Sequence, residues 1–223
     1  RAFVGVTSGA SASKPGAKPA VAESAEIPVT TAGDTTKRDA EDLKNFCVEV
    51  DRLYSRNKWG QSNCAKIPFN IFGHSVQGRP LVEFRSAQTQ GNSKTPLKMT
   101  LVQCGIHGDE LPSVPMCFRL IGEILSGKRL VKSGQRLVVQ PLLNPDGMLG
   151  SKPSRNNANG VDVNRNFPTS NWESEALQSW EKRDRKDPRK FPGKEANSEP
   201  ETKAIVEFIA QERKKKIISI HTP

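Results

Sequence analysis

The amino-acid sequence predicts an α/β sandwich, a central sheet flanked by helices, and three observations carry that prediction. Short β-prone apolar runs at residues 67–72, 81–85, 98–103, 136–142 and 216–220 have the length of strands. Leu43, Phe46, Val50, Leu53 and Tyr54 recur at helical spacing, as do Leu111, Val114, Phe118, Ile121 and Leu125. Ser198 and Glu201 have the spacing of a capping box ahead of Ile205, Phe208 and Ile209, which gives a third helix.

Taken in order, residues 1–36 are rich in Ala, Ser, Gly, Pro and Thr, carry almost no large apolar side chains, and read as a flexible leader. Residues 37–223 read as one domain that opens with an amphipathic helix. His74 falls in a turn between the first two strands and reads as a solvated loop residue. The strand at 98–103 ends near Gly105, where Gly105 and Gly108 allow a tight turn. The next helix tolerates Pro112 because a first-turn amide has no intrahelical acceptor to lose.

That strand-to-helix turn, Gly105-Ile106-His107-Gly108-Asp109-Glu110, places an imidazole and a carboxylate three residues apart. His and Glu are ordinary zinc ligands, and a catalytic zinc takes three protein ligands plus a water. With three histidines in the chain, His221 is the candidate third ligand, since it follows the apolar run at 216–220 as His107 follows the run at 98–103. An isolated H-x-x-E is a short pattern that recurs by accident, so its companions decide.

Those companions are G-H-S-V-Q-G-R-P-L at residues 73–81, Asn144-Pro145-Asp146-Gly147, R-N-N-A-N-G-V-D-V-N-R-N-F-P at residues 155–168, and S-E-P-E-T-K-A at residues 198–204. With the metal motif they resemble the zinc carboxypeptidase family, in the family's order, from about Phe69 onward. Asn171-Trp172 and the Gly105 to Glu110 turn resemble its bacterial murein peptide amidase branch in particular.

The resemblance implies a mixed sheet flanked by helices, incomplete at its C-terminal side, and one Zn2+ held by His107, Glu110 and His221. It implies Arg155 as the cation beside the scissile carbonyl and Asn164 with Arg165 as the clamp on a substrate carboxylate. Arg79 would line an outer subsite, and Asp162 would accept the free N–H of the first histidine ligand. A planar guanidinium suits a carboxylate because it donates two parallel hydrogen bonds. The implied activity is zinc-dependent hydrolysis of an amide bond in peptidoglycan stem peptides, in the periplasm, as a secreted protein or in the cytoplasm. The family's general-base glutamate and mobile-loop tyrosine have no matching position here, so a further C-terminal portion or a second chain is expected. Two alternatives share parts of the pattern: an aspartoacylase-like deacylase of N-acyl amino acids, and a non-catalytic peptide-binding relative that lacks the base.

Composition excludes less. Against 34 Lys and Arg stand 24 Asp and Glu, a net charge of +10. The basic stretches lack interleaved aromatics or a nucleic-acid-binding motif, so no nucleic-acid partner is expected, and a basic face would equally concentrate a polyanionic polymer. No run approaches the roughly 20 apolar residues of a transmembrane helix. Among the four cysteines, Cys47 and Cys64 flank the first helix and could bridge in an oxidising compartment, a pairing the sequence leaves open, whereas Cys104 and Cys117 are expected as core thiols.

Overall fold

The computed structural model describes residues 32–87, 98–212 and 215–222, so most of the expected leader, residues 1–31, lies outside the described residues. Helix α1 (Ala32–Arg56) precedes the antiparallel pair β1 (Asn70–His74) and β2 (Pro80–Arg85). Strand β3 (Lys98–Gln103), helix α2 (Ser113–Leu125), strand β4 (Gln135–Gln140) and the short helix α3 (Pro145–Leu149) follow. Helix α4 (Gln178–Lys182) continues a π-turn over Glu173–Leu177, and α5 (Pro200–Gln211) leads into β5 (Lys215–Ser219).

The five strands form one mixed sheet in the order β1-β2-β4-β3-β5. Strands β3, β4 and β5 run parallel, while β2 is antiparallel to β4. Residues alternate between the two faces of each strand. Val102 and Val139 therefore join the cluster under α1 and α2, with Phe46, Val50, Phe118 and Ile121. Their neighbours Leu101 and Val138, with Met99, pack instead against Phe208 of α5. Helices thus cover both faces, and the C-terminal ends of the three parallel strands open onto one edge, where α/β sheets place their ligands.

Three local expectations change. The first strand begins at Asn70 rather than Ile67, because Pro68 has no amide to donate and Ile67 and Phe69 are consumed by the core beneath α1 and α2. The capping box is absent: Pro200 opens α5, Glu199 takes the N-cap position, and Ser198 Oγ donates to Glu199 Oε1 at 2.7 Å. Glu201 instead turns into the protein, where it is fully buried and accepts from Val76 N–H at 3.1 Å and Asn157 Nδ2 at 3.0 Å.

The cysteines supply the third correction. Cys47 and Cys64 are bridged, and so are Cys104 and Cys117, contrary to the expectation of two core thiols. The turn after β3 folds the chain back sharply enough to set Cys104 against the second turn of α2, with 6.3 Å between the Cα atoms.

Glu201 yields a pH prediction. Burial pushes its carboxyl above the ordinary value, only partly opposed by the Asn157 and Val76 donors, and the nearby Asp146 carboxylate pushes the same way. A raised folded pKa means the folded state holds the proton more tightly. Its stabilising contribution is complete below the unfolded pKa of about 4.3 and is lost as pH rises through the folded value. Urea unfolding of the native protein and Glu201→Gln across pH 4 to 8 should show the difference between the two falling with rising pH on the native side; parallel profiles would refute it.

Candidate metal centre

Each of the two candidate histidines lies just past the C-terminal end of a parallel strand. His107 and Glu110 belong to the turn after β3, and His221 follows β5. Ligand atoms of the three residues all lie within 4.8 Å of one another. His107 Nδ1 is 2.7 Å from Glu110 Oε1, His221 Nδ1 is 3.1 Å from Glu110 Oε2, and the two rings stand 5.0 Å apart.

The turn is shaped by its glycines for two different reasons. Gly105 has φ +63°, the left-handed region that side chains disfavour. Gly108 is needed for room. A Cβ there would lie 2.5 Å from Gly147 O and closer still to Gly147 C and Ser154 O, because the turn is pressed against α3 and the segment leading to Arg155.

Asp162 organises the interior side. It is fully buried. Its Oδ1 lies 3.1 Å from His107 Nε2 and accepts the Asn164 amide at 3.0 Å, while its Oδ2 accepts Arg155 Nε at 2.8 Å. Burial alone would raise its carboxyl, but the His107 hydrogen bond and the Arg155 charge outweigh that and hold it below the ordinary carboxylate range. An ionised Asp162 can only accept, so His107 donates to it from Nε2 and turns Nδ1 toward the Glu110 carboxylate 2.7 Å away. In the neutral ring that Nδ1 is a lone pair, and with the Glu110 and His221 donor atoms beside it the set fits a metal ion.

Glu110 has further support. Burial raises its carboxyl, yet the Thr222 amide donating to Oε2 at 3.0 Å, together with His107 and His221, brings it below the ordinary value. Arg155 Nη1 stands 3.6 Å from Glu110 Oε1, so Asp162 aims this guanidinium at the same spot as the candidate ligands.

The remaining candidates divide. Asn164 and Arg165 line a cavity of about 260 Å³ with Phe167, Trp172 and Arg183, and neither side chain has a hydrogen-bond or ion-pair partner among the described residues. Arg79 is already engaged: Glu49 accepts from its Nε at 2.8 Å and Nη2 at 3.1 Å, and Asp146 and Gln77 accept from its Nη1. Its cavity, beside α1, shares no lining residue with the one around Asn164 and Arg165. His74 ends β1 half exposed, 3.6 Å from the Asp42 carboxylate.

Sequence reasoning gave no role to Asn144 or Asn166. Asn144 Oδ1 caps α3 through Gly147 N–H, and its Nδ2 donates to Arg155 O at 3.1 Å. Asn166 Nδ2 donates to Pro192 O, Glu195 O and Ser198 Oγ, and its Oδ1 accepts from Glu199 N–H, tying the Arg165 segment to the start of α5. Both lie inside the resembling segments, so the signal was present but its physical content was not.

The zinc carboxypeptidase family model matches residues 63–222. The chain belongs to the zinc carboxypeptidase family. Within the family it is similar to murein peptide amidase A of Escherichia coli strain K12, at 35% identity over 155 residues, covering 68% of this chain and 58% of that protein. It is also similar to carboxypeptidase O of Bos taurus, at 31% identity over 163 residues, covering 65% of this chain and 41% of that protein. Among solved structures, carboxypeptidase A from Helicoverpa armigera superposes with a TM-score of 0.58 at 23% identity, covering 70% of this chain and 41% of that one. Bovine thrombin-activatable fibrinolysis inhibitor, in complex with tick carboxypeptidase inhibitor, gives 0.56 at 22%, covering 81% and 60%. These structures establish the shared fold. The chain thus spans less than two thirds of the length of these relatives. No helix among the described residues is long and apolar enough to cross a membrane.

Proposed function

We propose that the protein is a zinc-dependent peptidase that hydrolyses an amide bond in peptidoglycan stem peptides. The observation that carries the reading is the convergence of His107, Glu110 and His221 within 4.8 Å beside a guanidinium that Asp162 holds in place. Zinc, when bound by these three residues, supplies Lewis acidity toward an amide carbonyl and toward a water molecule.

The chain's own residues supply the rest. Arg155 uses Nε on Asp162 and keeps its outer N–H groups for a carbonyl oxygen that gains negative charge, which is worth most in a water-poor site. Arg165 and Asn164, whose side chains have no hydrogen-bond or ion-pair partner among the described residues, offer a planar donor array for a substrate carboxylate and would fix the distance from that carboxylate to the scissile bond. Arg79 can serve an outer subsite only if Glu49 and Asp146 release it, so its first role is to tie α1 to α3. Hydrolysis also needs a group that takes a proton from water and returns it to the leaving amine, and no residue of this chain is assigned to that task.

Likeness to murein peptide amidase A supports the murein substrate. The two disulfides support an oxidising compartment, periplasmic or secreted. The test is incubation of the full-length protein and zinc with murein tripeptide, following release of meso-diaminopimelate; an uncut substrate would overturn the reading.

Metal binding is separable from turnover. Replacing His107 with alanine should lower zinc affinity by more than the ~10- to 100-fold expected for losing a ligand's outer partner. Competition with a chromophoric chelator measures this, and native-like affinity in the variant would remove His107 from the ligand set.

A further inference from the structure

The Cys104–Cys117 bridge closes a loop that contains both His107 and Glu110. One anchor follows β3 and the other sits in α2, and both are buried in the core beneath α1 and α2. Between them the turn's backbone is bonded mainly to itself, the Glu110 amide to His107 O, the Ser113 amide to Glu110 O and Ser113 Oγ to Glu110 O, while its side chains reach Asp162, Arg189 and the Thr222 amide. Backbone links to the rest of the protein are sparse. Asn144 N–H donates to Gly105 O at 2.9 Å, and Gly108 N–H reaches Arg155 O at 3.4 Å, a long bond. The other disulfide, Cys47–Cys64, joins α1 to the segment after it and contains no candidate ligand.

We propose that Cys104 and Cys117 are positioning residues for the metal site, their bond preordering the turn so that zinc binding does not have to order it. The inference rests on the reading of His107, Glu110 and His221 as zinc ligands. Its physical content is preorganisation. A cross-link removes loop conformations from the state without metal, and any conformations it does not remove must be lost when zinc binds. In a reducing environment the same bond would be two thiols, and the site would bind its metal less tightly.

The test compares two double variants of the full-length protein, Cys104→Ala/Cys117→Ala and Cys47→Ala/Cys64→Ala, by zinc competition and by thermal melting. Both should melt at lower temperature. Only the first should bind zinc more weakly, by about tenfold, because other bonds still hold part of the turn and only a fraction of the loop-closure effect is recovered. Equal zinc affinity in both variants and the native protein, or an equal loss in both, would overturn the proposal. Failure of the native protein to bind zinc would overturn the ligand assignment itself.

A second arm covers poor folding of the alanine pair. In the Cys47→Ala/Cys64→Ala protein a small dithiol reduces the remaining bond by two electrons, giving two thiols and closing to its own disulfide, and titration of Co2+ before and after reports on the site by its visible absorption. Weaker Co2+ binding after reduction, with unchanged far-ultraviolet circular dichroism, is expected; unchanged binding would overturn the proposal.

Discussion

Substituting Asp162 with alanine is expected to cost about 3 kcal/mol of folding stability, the scale seen when one partner of a buried ion pair is removed, and to weaken zinc binding by roughly 10- to 100-fold. Both effects come from one carboxylate. Asp162 accepts hydrogen bonds from His107, Arg155 and the Asn164 amide while wholly buried, so its removal leaves a partly buried guanidinium and a ring N–H without their acceptor. His107 is then free to change tautomer, and the lone pair that should face the metal is no longer specified. Asp162→Asn should sit between the two, since it keeps an acceptor but loses the charge. The pH signature follows from the sign of the shift: a folded pKa held below the unfolded value near 3.9 gives stability that is present above that value and is lost as pH falls through the folded one. Urea midpoints of native protein and variant should therefore draw closer together as the pH falls below the unfolded value near 3.9. A gap that does not narrow with falling pH, or unaltered zinc affinity, would count against this role.

Alanine at Gly108 should produce the second large effect, destabilising the fold by about 2 to 3 kcal/mol, at the upper end for overpacking. The new Cβ meets backbone atoms of Gly147 and Ser154 rather than the flexible end of a side chain, so the turn itself has to move. Because His107 and Glu110 flank Gly108, that displacement acts on two candidate ligands together. Zinc affinity should fall with stability, whereas Gly122→Ala, where a Cβ meets nothing within 4 Å, should leave zinc affinity unchanged and serve as the comparison. Equal zinc affinity in the two variants would mean that the turn absorbs the methyl without moving its ligands.

These predictions separate what each level of description contributed. The metal motif was legible because its chemistry is local: His107 and Glu110 sit three residues apart on a turn whose flanking strand and helix announce themselves by periodicity. His221 was legible because few histidines compete for the third position. The strands at 81–85, 98–103 and 136–142 were placed to within two residues at either end, since runs of apolar side chains report directly on burial. Where the sequence misled, a distant partner took the residue. Glu201 has the spacing of a capping residue, but Asn157 and the Val76 amide claim its carboxylate in the core.

By itself, then, the sequence determined the fold class, the family and which three side chains are the candidate metal ligands, because these depend on residue type and on spacing along the chain. Only the tertiary structure decided that Asp162 also holds Arg155, that Thr222 supports Glu110, and that Cys104 meets Cys117. Each of these depends on how the ends of β3 and β5, the first turns of α2 and the segment before Asn164 meet at one edge of the sheet, and separations through space at that edge are not encoded in any short window of sequence.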